Sequence, residues 1–102
     1  MRENEEKKET IRTTDIHLSA YLLALGYTVT GLTVTRQLNK DICILMFEGA
    51  SLEEQRMSYL SSRAKVDPVL YQKAVNRIRD MIFEALDKAR AQGSIASDGG
   101  EV

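Results

Sequence analysis

Tryptophan is absent from these 102 residues, and cysteine, proline and histidine each occur once. A single thiol, Cys43, excludes an internal disulfide and fits a reducing compartment, so the cytoplasm is the expected location. One histidine and one cysteine cannot furnish a transition-metal site of the usual composition within one chain, and no cofactor is expected. No apolar run exceeds six residues, far short of a membrane span, and no membrane association is expected. The opening segment, MRENEEKKETIR, is charged throughout and lacks the apolar core of a secretory leader. An excess of one sign is lacking too. With 14 Lys and Arg against 15 Asp and Glu, the net charge of −1 gives no global pull toward nucleic acid or anionic lipid. Gly26, Gly31 and Gly49 stand isolated instead of forming a phosphate-cradling loop, and no small-molecule substrate is indicated.

What remains is an ordinary globular composition, 43% apolar and 28% charged, at a length suited to one domain. Residues 1–12 carry eight charges and are expected to be a flexible arm. Residues 93–102, GSIASDGGEV, are expected to be a flexible tail. The folded domain is thus placed at 13–92. Thr14 or Asp15 can cap a first helix over 16–25, with Gly26 as its left-handed terminator. Leu18, Tyr21, Leu22 and Leu25 form one face, and Ile16, Ala20, Leu23 and Ala24 widen it until the helix reads as buried.

Residues 27–36, YTVTGLTVTR, have the β-branched content of a strand, but their alternation changes phase. Tyr27 and Val29 are apolar before Gly31, Leu32 and Val34 after it, which calls for a bulge at Gly31. After a polar turn around Asn39, residues 42–47, ICILMF, pair back as a hairpin. That strand is apolar on both faces, as strands sheltered on two sides are. A two-stranded hairpin alone is marginal in water, and no third strand is evident. Ser51 and Glu54 form a capping box for a second helix ending near Arg63. Asp67-Pro68 opens a third, running to about Ala91, with Tyr71, Ala74, Ile78, Met81, Ile82, Ala85 and Ala89 on its apolar face.

Three segments carry a resemblance: TTDIHLSAYLLALGY at 13–27, the apolar strand ending in Phe47-Glu48, and KVDPVLY at 65–71. On these the chain resembles a family of small uncharacterised α+β domains found in bacteria and prophages, over roughly residues 13–82. The resemblance implies a helix–hairpin–helices order and a mobile-element context. It implies no activity, and no functional residue comes with it.

Chemistry-bearing residues are sparse. His17 sits in the first turn of helix one, without a nucleophile partner evident in the sequence. Cys43 lies inside an apolar strand, where a thiol stays protonated and inert. Asp15, Asp41, Glu48 and Asp67 fall at caps, turns or strand ends that local backbone hydrogen bonding explains. No catalytic residue is assigned, and the protein is not expected to be an enzyme. The segment 56–79 holds Arg56, Arg63, Lys65, Lys73, Arg77 and Arg79 against one acid, Asp67, with Tyr59 and Tyr71 interleaved. Phosphate contact with base stacking is the alternative function that this allows.

The leading expectation is a small non-enzymatic protein-interaction module, homodimeric or bound to a protein partner. Its fold class is α+β: a helix, a two-stranded antiparallel hairpin, a helix and a long C-terminal helix. The helices pack on the hairpin, and dimerisation extends or covers the sheet. The residues expected at the interface are Ile42, Ile44 and Met46, or their opposite set on the same strand, with Phe83, which lies off the apolar stripe of the third helix.

Overall fold

The computed structural model describes residues 8–91. It is an α+β fold in which three helices accompany a three-stranded antiparallel sheet. The elements in chain order are β1 (Glu9–Thr13), α1 (Ile16–Ala24), β2 (Thr28–Gln37), β3 (Lys40–Gly49), α2 (Leu52–Leu60) and α3 (Pro68–Ala91). The sheet order is β1-β3-β2, so β3 is central and both other strands are edges.

The strand count corrects the sequence reading. Five residues expected in or beside the flexible arm, Glu9–Thr13, form β1 and pair with β3 from Glu9↔Gly49 to Thr13↔Leu45. Composition misjudges this segment because its burial rests on a single side chain. Ile11 is only 5% exposed and sits opposite Phe47. Residues 1–7 of the expected arm, and the expected tail at 93–102, lie outside the described residues.

Helix α1 forms as its sequence dictates. The Asp15 carboxylate accepts hydrogen bonds from the His17 and Leu18 N–H groups at 2.9 and 3.1 Å. At the other end Gly26 takes φ +108°. Tyr27 N–H donates to the Leu22 carbonyl and Gly26 N–H to that of Leu23, the paired closure of a left-handed cap. Helix α2 departs from expectation at both ends. Ser51 is left-handed at φ 62° and makes no side-chain cap bond, so the expected capping box does not form. Glu9 of β1 replaces it, its carboxylate accepting from the Glu53 N–H at 2.9 Å. Ser62, also left-handed, ends the helix at Leu60 with the same paired closure, Arg63 N–H to the Ser58 carbonyl and Ser62 N–H to that of Tyr59. Asp67 caps α3 through the Val69 and Leu70 N–H groups.

The phase change in β2 is resolved by a bulge. Val29 opposes Phe47 and Gly31 opposes Met46, leaving Thr30 without a partner residue. That extra residue returns Leu32 to the side of Val29, opposite Leu45. One sheet face therefore gathers Ile11, Val29, Leu32, Leu45 and Phe47 against Leu18, Tyr21 and Leu22 of α1, Leu52 of α2, and Ala74, Val75 and Ile78 of α3. Leu45 and Phe47 are fully buried. The core lies between this face and the helices.

Candidate functional site

Because side chains alternate along β3, burying Leu45 and Phe47 turns Ile42, Ile44 and Met46 to the opposite face. These three are half-buried and stand outside the core cluster. Around them lie cross-strand neighbours that are mostly polar: Arg12 and Gly31 beside Met46, Thr33 beside Ile44 and Thr35 beside Ile42. Of the two sets expected on this strand, the structure sends Leu45 and Phe47 inward and leaves the other three outward. Phe83, the fourth residue expected at an interface, is 65% exposed on α3.

Besides the outer side of β1, two stretches of sheet edge are open among the described residues. β1 reaches only to Leu45, so β3 from Lys40 to Ile44 has no neighbour on that side. A groove of ≈ 510 Å³ follows this gap, with Ile42, Cys43 and Ile44 on one wall and Ile82 and Leu86 of α3 on the other. At its hairpin end Asp41 is bonded to Arg90 at 2.7 Å, with Arg36 at 3.6 Å. The hydrogen bond to Asp41 raises the Arg90 guanidinium above its ordinary value. Asp41 Oδ1 is buried and has no hydrogen-bond partner among the described residues.

The second edge is longer. All ten residues of β2 form the outer strand beyond β3. A groove of ≈ 360 Å³ runs between this edge and α3, lined by Val29, Gly31 and Leu32 from the strand and Met81, Glu84, Ala85 and Lys88 from the helix. Met81 and Glu84 also belong to a second depression along the same flank of α3, with Lys73, Asn76, Arg77 and Asp80. The flank is continuous from Lys73 to Lys88.

The six basic residues proposed for nucleic acid are dispersed. Arg56 is in α2 and paired with Glu53 at 3.2 Å. Arg63 and Lys65 lie in the α2–α3 connection, and Lys73, Arg77 and Arg79 on α3. At 3.6 residues per turn, Arg77 and Arg79 stand roughly 200° apart and cannot face one surface. Tyr59 and Tyr71, the interleaved aromatics, are half-buried against the core.

His17 Nδ1 lies 2.8 Å from the Tyr71 hydroxyl, and the two rings stack at 6.3 Å. Burial, and next the Asp15 carboxylate, raise the Tyr71 and Tyr59 hydroxyls above the ordinary phenol range, which favours hydrogen-bonding neutral rings over nucleophiles. The Cys43 thiol is half-buried and is likewise raised, by burial first and by Asp41 second. Among the described residues no three His, Cys, Asp or Glu side chains converge on a point that could hold a metal ion. Among the same residues no helix is long and apolar enough to cross a membrane. No protein-family model, curated protein or solved structure matches the chain.

Proposed function

We propose that this chain is a protein-interaction module without catalytic activity of its own, and that it works as a homodimer joined through its sheet. The observation that carries the reading is the ten-residue edge of β2 beside an apolar groove. An open edge offers a row of backbone donors and acceptors, and an adjoining groove offers side-chain pockets; together they are what an added strand uses. A three-stranded sheet with helices on one face changes in two ways when a second sheet continues it. The backbone of β2 finds partners, and the outward Ile42, Ile44 and Met46 of both copies join one broader surface.

The nucleic-acid alternative draws less support, because its cations lie on α2, a connection and two sides of α3. Sedimentation equilibrium from about 1 to about 100 μM tests the proposed reading, a range spanning the weaker standard-size interfaces. A mass rising from monomer to dimer is expected. A strictly monomeric chain at the upper concentration overturns it.

A further inference from the structure

The partner at the β2 edge is written in the charges of α3. Along the flank of α3 that meets β2 at Met81 and Glu84, the first half carries Lys73 and Arg77 and the second half Asp80 and Glu84. Within the helix this order sets like beside like inside each half, since 73 and 77 are four apart, as are 80 and 84, with Arg77 and Asp80 as the opposite pair where the halves meet. Neither Arg77 nor Glu84 has an ion-pair partner among the described residues, although Lys88 follows Glu84 by four positions. A basic half followed by an acidic half is self-complementary only when a second copy lies antiparallel. Resting on the proposed function, we infer that the occupant is a second copy of this chain. It is related by a two-fold axis that runs β2 against β2 and α3 against α3, with Lys73 and Arg77 of each protomer facing Asp80 and Glu84 of the other.

One symmetry operation satisfies both elements. A two-fold axis perpendicular to the strands makes the β2 pair antiparallel and, with it, the α3 pair lying beside the same edge. Met81 and Ala85 on the helix, and Val29 and Leu32 on the strand, then close the apolar groove from both sides. The opposed charges fix the register and orientation at the rim, where charge contributes more to specificity than to raw affinity.

Two charge-block variants test the seam: Lys73→Glu with Arg77→Glu, and Asp80→Lys with Glu84→Lys. All four positions are exposed. Each variant alone sets like charges across the axis and is expected to weaken its own dimer by at least about tenfold. Mixed together, the two are expected to form a heterodimer at least as tight as the wild type, a rescue that mere damage to the fold would not give. Arg79→Glu, on the other side of α3, should leave association unchanged. If the wild type dimerises but both blocks leave its dissociation constant within about twofold, this seam is wrong while the module reading stands. Ile44→Lys then separates the remaining route, since its dissociation of that dimer would assign the contact to the outward sheet face. If the wild type itself is monomeric at about 100 μM, the module reading fails with the seam.

Discussion

At the scale of single residues, the hairpin turn carries local strain. Leu38 and Asn39 connect β2 to β3 with φ 50° and 66°, the left-handed pair of a type I′ turn. Asparagine suits that geometry; leucine does not, and Leu38 is 94% exposed with no packing to offset the cost. Leu38→Asn should therefore stabilise the protein by about 1 kcal/mol, read as a higher urea midpoint at unchanged slope. Cys43 gives a pH-dependent prediction. The fold raises its thiol above the ordinary value, so the neutral form is favoured in the folded state. That contribution is complete below the unfolded thiol value of about 8.5 and is lost as pH rises through the folded value. Alkylation of the folded protein at pH 8 should accordingly be slower than that of the same chain in urea, with the difference narrowing as pH rises. Equal rates at pH 8 would contradict the assignment.

At the scale of elements, β1 decides whether the account of the sheet is right. Ile11 opposes Phe47 and lies in the core cluster, so Ile11→Ala should cost about 3 kcal/mol by chemical denaturation. A loss below about 0.5 kcal/mol, the ordinary surface range, would mean that the segment does not pack. How far each element can be read from the chain follows from where its determinants lie. The α1 caps, the bulge and the Asp67 start of α3 are encoded within a few residues of where they act, so sequence alone places them to within a residue: Asp15 caps α1 out of the pair Thr14 and Asp15, and the extra residue of the bulge is Thr30, next to the expected Gly31. β1 and the start of α2 are not local in this sense. Glu9 closes the first turn of α2 from across 44 positions, a contact that no spacing rule anticipates. The expected Ser51 cap fails for a related reason: its backbone is left-handed, whereas an N-cap side chain works from an extended one.

At the scale of the whole molecule, the tension in ICILMF is answered in part by the chain itself. Pairing on both sides, and helices over Leu45 and Phe47, enclose half of the strand; Ile42, Ile44 and Met46 remain on the open face. The unsatisfied apolar strand was legible in the sequence. Which edge stays open was not, because that depends on which strand takes the centre. Once β1 occupies one side of β3, the long free edge belongs to β2, next to a helix flank whose charges complement an antiparallel copy of themselves. In the proposed dimer, two such edges join into a six-stranded sheet with helices on one side.

Residue-resolved hydrogen exchange across a concentration series measures that joining at the atoms concerned. In the proposed dimer, the outward-pointing amides of β2 become hydrogen-bonded, whereas those on the free edge of β1 do not. From about 5 to about 200 μM, exchange at those β2 amides should slow by roughly tenfold or more while β1 stays constant. Protection along β2 that is independent of concentration would contradict the account.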